Sequence, residues 1–184
     1  MKNTVANEEI AAPYAQALMT VAKSNNLTEA FGNDARSLVT LLSESKELRN
    51  FFDNPFASIE SKKDVINRVL GDDTNAFFRN FLMLLVDRKR IYLLDGICQQ
   101  YLTLLRELNQ TVLAEVISAV PLSETQEQAV KERVISLTQA REVELSKKVD
   151  SELIGGVIIK VGSQVIDASL RGQLRRLSLR LTSS

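Results

Sequence analysis

The chain has 184 residues, 45% of them hydrophobic, and its 23 basic side chains balance 23 acidic ones. A neutral balance gives no overall electrostatic pull towards nucleic acid or an acidic membrane surface. Histidine is absent and cysteine occurs once, which removes the usual general base, the commonest metal ligand and any intrachain disulfide.

The length suits one large domain or two small ones. Asn7-Glu8-Glu9 interrupts any early apolar run, so neither a secretory signal nor a transit peptide is expected. The most apolar segment, Phe81 to Val86, falls far short of the ~20 residues that span a bilayer. Work at a membrane would need another protein as anchor.

The first half reads as helix throughout. Asn7 with Glu8 and Glu9 is a start signal for the first helix, and Pro13 predicts a late start or a kink. Ile10, Tyr14, Ala17 and Val21 share its main apolar stripe. Ala11, Ala15, Leu18 and Ala22 form a small-residue shoulder, suited to tight packing within the chain or to a docking groove. Asn26-x-x-Glu29 has capping-box spacing before a second helix carrying Leu27, Phe31, Ala35, Leu38 and Leu42. Leu48, Phe51 and Phe52 mark a short third helix that stops at Asn54-Pro55. Ser58 caps a fourth, with Val65, Ile66, Val69 and Leu70 before the stop at Gly71.

Asp72-Asp73-Thr74 opens the fifth helix. Phe78, Phe81, Leu82 and Leu85 form its core arc, with Phe77 and Leu84 on the shoulder and Met83 nearly opposite. A helix apolar over so wide an arc is either central or shared with a partner. Asp87-Arg88-Lys89-Arg90 punctuates its end, as a solvated helix terminus rather than a nucleic-acid patch. Ile91, Leu94, Cys98, Tyr101, Leu105 and Leu108 then define a long sixth helix, with Cys98 as a small buried hydrophobe.

Asn109-Gln110-Thr111 is the expected hinge. Val112 to Val120 alternates as a strand, Ser123-x-x-Gln126 is a capping box, and Val130, Val134 and Leu137 follow on a helix. Val143, Leu145 and Val149 mark a second strand, whose other face carries Glu142 and Glu144 in solvent. Val157, Ile159 and Val161 alternate into Gly162-Ser163 and then Gln164 to Asp167, a β-hairpin entered through Gly155-Gly156. Asp167 or Ser169 caps a closing helix bearing Leu170, Leu174, Leu177 and Leu181. Its leucines are needed to cover the sheet, leaving Arg171, Arg175, Arg176 and Arg180 for solvent or an acidic protein partner rather than lipid or nucleic acid. The fold class is mainly α: a six-helix bundle over residues 1–108, then a small α/β domain over 109–184 in the order β-α-β-β-β-α.

No G-x-x-x-x-G-K-[ST] phosphate loop is present, and Gly155-Gly156 precedes a strand rather than a helix. Without histidine a nucleophile–base pair is hard to assemble. An interaction protein is favoured over an enzyme, with no cofactor.

Two anchors carry a family resemblance. The C-terminal one comprises Val149-Asp150, Leu153, Gly155-Gly156-Val157, Ile159-Lys160, Gly162, Val165-Ile166-Asp167, Ser169 and Leu174. The N-terminal one is Ala12-Pro13-Tyr14-Ala15-x-Ala17-Leu18, joined by Phe81-Leu82-x-Leu84-Leu85-Val86, Arg90 and Tyr101. Together they resemble the delta subunit of F-type ATP synthases, the oligomycin-sensitivity-conferring protein of mitochondria. One departure is Lys89, where many members have glycine; a left-handed turn would cost lysine more, so a local difference is expected there.

The resemblance implies a non-catalytic stator subunit that joins the top of the catalytic head to the peripheral stalk and resists rotor torque. The helical domain would take the N-terminal helix of an alpha subunit between its first and fifth helices, at Tyr14, Ala15, Leu18, Phe77, Met83 and Leu84. The second domain would grip b-type stalk subunits, with the four arginines as contacts. Location would be peripheral, on the cytoplasmic side of a bacterial inner membrane or a thylakoid, with no direct membrane insertion. The alternative is a cytosolic helical adaptor that binds amphipathic helices.

Overall fold

The computed structural model describes residues 4–71 and 74–174, with side chains from residue 10 onward. Two compact units emerge, Met1–Leu105 and Arg106–Ser184.

In the first unit, α1 runs Thr4–Ser24, α2 Thr28–Glu44, α3 Lys46–Asp53, α4 Ile59–Leu70 and α5 Ala76–Asp87. A 3-10 turn at Ile91–Leu93 leads into α6, Leu94–Asn109. The α1 backbone is helical from Thr4, before Asn7, and continues through Pro13, so the late start is not found. The Asn26 capping box is not formed either. Asn26 has φ 56° and instead closes α1, with Leu27 N–H donating to Ala22 O at 2.8 Å and Asn26 N–H to Lys23 O at 3.3 Å. That paired closure is a left-handed helix stop, for which asparagine is the usual stand-in for glycine.

Ser45 and Ser58 cap α3 and α4 by accepting from Leu48 N–H and Ser61 N–H, and Gly71 ends α4 at φ 65°. Asp72 and Asp73 lie outside the described residues; the α5 cap is Asn75, whose side chain accepts from Phe77 N–H at 2.9 Å.

At the core Phe31 meets Phe78 at 5.4 Å between ring centroids, tilted by 59°, and Tyr101 at 6.5 Å. Each such pair contributes roughly 0.5–1.5 kcal/mol beyond area burial. The Tyr101 hydroxyl donates to Thr28 O at 3.0 Å, so its polar end is satisfied at the start of α2. Gly32 lets α2 approach α6, since a Cβ there would lie 2.5 Å from Leu105 Cδ2.

The second unit holds β1 Thr111–Ser118, α7 Glu124–Thr138, β2 Glu142–Val149, β3 Val157–Val161 and β4 Gln164–Asp167. The sheet order is β2-β1-β3-β4. β1 and β2 run parallel, from Thr111 opposite Glu142 to Ser118 opposite Val149, and α7 makes the crossover. β3 lies antiparallel to β1, and β4 antiparallel to β3. Ser123 and Gln126 form the full capping box of α7. Val130 and Val134 of α7 pack on Ala114, Val116, Val143 and Ile159.

Glu144 is not simply solvated: Arg106 Nη1 donates to its Oε2 at 3.4 Å. This contact lies within the second unit, which begins at Arg106.

Gly156 enters the hairpin at φ 79°, with no room for a Cβ against Ala168 O and Ser169 Cα. Residues 170–174 are helical, opened by Ser169, whose Oγ accepts from Gly172 N–H at 3.0 Å. Asp167 supports that cap by accepting from Ser169 N–H at 2.9 Å. Leu170 and Leu174 are exposed, so they do not cover the sheet as expected; Leu177 and Leu181 lie outside the described residues.

Candidate functional site

The apolar division of α1 is the reverse of the one read from spacing. Ala11, Ala15, Leu18, Met19 and Ala22 are buried, while Ile10 and Val21 are 41% and 40% exposed. Small side chains permit a closer helix approach than the bulkier stripe allows, and close packing decides which face turns inward. Ala15 and Leu18 therefore belong to the core and position the stripe of Ile10, Tyr14, Ala17 and Val21 beside it. Tyr14 is half-buried, resting on that core.

α5 packs against α1 and repeats the arrangement. Phe78, Leu82, Leu85 and Val86 face inward. Phe77 and Leu84, two turns apart on one stripe, are 50% and 47% exposed. Met83 is half-buried on the core. Two adjoining helices thus each leave a line of large apolar side chains in water, the form in which an amphipathic helix is recognised. Ile10, Ala17 and Val21 were not among the expected contacts; the signal for them was the run of alanines on the competing face.

The α5 terminus keeps the left-handed turn despite Lys89, which sits at φ 55°. The expected local difference there is not found.

In the second unit Ile154 adopts φ 65°, a conformation β-branched residues avoid, with its side chain 69% exposed. Val165, Leu170 and Leu174 are also exposed. Arg171 is exposed and lies 3.7 Å from Glu152; Arg175, Arg176 and Arg180 are outside the described residues.

Reactive chemistry is muted. Burial, and then the nearby Asp95, push the Cys98 thiol up to about 12, so it is not a thiolate near neutrality. Burial, and then Glu29, push Tyr101 up to about 12 as well. Among the described residues no cluster of three metal-ligating side chains occurs, and no helix is long and apolar enough to cross a membrane.

A family model described as ATP synthase delta (OSCP) subunit matches residues 10–181. The ATP synthase subunit delta of Trichormus variabilis is 65% identical over 184 residues, covering 100% of both chains. That of Nostoc punctiforme is 64% identical over the same span, with 100% of each covered. Among solved structures, a chain in the mitochondrial ATP synthase hexamer of Toxoplasma gondii aligns with a TM-score of 0.70 at 24% identity. It covers 94% of this chain and 97% of that one, a likeness of fold.

Proposed function

The chain belongs to the ATP synthase delta (OSCP) subunit family, and from that premise we propose that its α1–α5 face receives the N-terminal helix of an alpha subunit. It is a non-catalytic stator component of F-type ATP synthase, and a free-standing adaptor is not favoured. The observation that carries the docking reading is the exposure of Ile10, Val21, Phe77 and Leu84 on two neighbouring helices. Tyr14 and Met83 line the edges of the contact, while Ala15 and Leu18 support it from the core.

The mechanism is mechanical. Rotation of a central rotor exerts a reaction torque on the catalytic head, and a head free to turn does no synthetic work. A lasting tether calls for apolar helix docking, because exposed ion pairs contribute only ~0–1 kcal/mol each. The second unit meets the b-type stalk subunits through Ile154, Val165, Leu170 and Leu174, whose exposure supports that role. Arg171, with Arg175, Arg176 and Arg180, supplies cationic contacts there. The chain is held peripherally through the complex. The cyanobacterial relatives support a thylakoid membrane, on its cytoplasmic side.

Titration calorimetry of the full chain with a synthetic peptide of the alpha N-terminus tests the docking face. Leu84→Asp is expected to weaken binding at least about tenfold with the melting temperature unchanged; equal affinity would remove the assignment.

A further inference from the structure

The helical domain has a second recess, built from the end of α3, the start of α4 and the turn after α5. Phe52, Ile59, Val86 and Ile91 are its apolar walls, Lys62 and Lys89 its basic ones, and its volume is about 210 Å³. Sites for whole small molecules span roughly 300–1,000 Å³, so this cleft suits one large side chain rather than a free metabolite. Phe77 and Leu84 take no part in it.

Two of the three charged residues that line the cleft are basic. Lys62 Nζ donates to Phe52 O at 3.0 Å and Asn54 O at 2.8 Å; both acceptors are neutral, so these bonds hold the ammonium in place without cancelling it. Lys63 and Asp87 neutralise each other at 2.6 Å. Arg88 and Arg90 flank Lys89 in the chain, and the charged residues that line the cleft are Lys62 and Lys89 with Asp53. Beside the cleft, Phe56 is 94% exposed on a loop fixed by its N–H donating to Asn54 Oδ1 at 2.9 Å. An aromatic ring so fully in water adds nothing to the domain's own core.

We propose that this cleft docks an acidic peptide segment of a protein partner. One aromatic side chain of the segment fills the apolar recess, its flanking carboxylates meet Lys62 and Lys89, and Phe56 closes over the anchor. An apolar anchor supplies the affinity and the charges select the partner. The inference stands apart from the α1–α5 reading, since neither surface uses the other's residues.

The probe is the fluorescein-labelled peptide acetyl-Glu-Asp-Phe-Asp-Glu-amide, titrated by anisotropy against the full chain, with amide shifts read by NMR. Binding that perturbs Ala57, Val86 and Ile91, weakens with salt and is lost when the central Phe becomes Ala supports the proposal. Phe56→Ala and Lys89→Glu should each weaken it about tenfold; Phe56→Ala should leave the melting temperature unchanged. Ala57→Leu, which narrows the cleft, should abolish it. No binding, shifts confined to Phe77 and Leu84, equal binding of the Ala peptide, or indifference to Phe56→Ala would each overturn it. So would binding of the chain to phosphatidylglycerol vesicles in place of the peptide.

Discussion

The backbone N–H of Arg90 donates to the carbonyl oxygen of Leu85 at 2.7 Å, and this bond closes α5 only because Lys89 between them turns to φ 55°. Left-handed backbone costs a residue with a Cβ roughly 1–2 kcal/mol, while glycine loses about 0.5–1 kcal/mol more chain freedom on folding. Lys89→Gly should therefore stabilise the helical domain by about 0.5–1 kcal/mol. All seven phenylalanines and three tyrosines lie before residue 106, so near-ultraviolet circular dichroism reports that domain alone. The urea midpoint followed this way should rise.

The two faces of α1 separate under truncation. Leu18→Ala removes a buried side chain and should cost about 2–5 kcal/mol. Val21→Ala touches an exposed stripe and should stay within about 0.5 kcal/mol. Similar losses from both, in the same denaturation experiment, would mean that α1 buries its stripe after all.

The buried Cys98 predicts an alkaline weakness. Its folded pKa of about 12 exceeds the ordinary thiol value of 9.0. The folded state thus favours the protonated form, and the stabilisation is complete below pH 9 and lost as pH rises towards 12. One such group costs up to about 1.4 kcal/mol per pH unit in that window. Tyr101 acts in the same direction, from its ordinary 10.0. Urea midpoints between pH 8 and 11 should fall with rising pH, and Cys98→Ala should flatten the part that begins near pH 9. The native thiol should also resist maleimide until the domain opens.

Gly156→Ala should destabilise the second unit by about 2–4 kcal/mol, because it combines an unfavourable φ with a clash against backbone. Hydrogen exchange should show faster amides in β3 and β4 while the aromatic dichroism of the helical domain is unchanged. Faster exchange in α2 and α6 instead would contradict the placement of the strain.

What could be read from the chain in advance was local. Ser58, Ser123 with Gln126, and Ser169 announce helix starts through hydrogen bonds closed within three residues, and Gly162 announces the hairpin turn. The errors came where distant packing decides. Asn26 has capping-box spacing, yet Ala22 and Leu27 draw it into the closure of α1. Ile10 and Val21 outrank Ala11 and Ala15 in hydrophobicity, but the alanines allow the closer approach. Arg106 pairs with Glu144, a partner invisible at helix range. The shoulder at Phe77 and Leu84 was legible from periodicity; the cleft beside Phe56 was not, because its walls come from three separate elements.

The central claim is that the chain transmits holding force without performing chemistry. Its most direct measurement is proton pumping against ATP hydrolysis in ATP synthase reconstituted into vesicles with and without the chain. Complexes lacking it should hydrolyse ATP without acidifying the lumen, and adding the full chain back should restore pumping. Undiminished pumping in its absence would contradict the account.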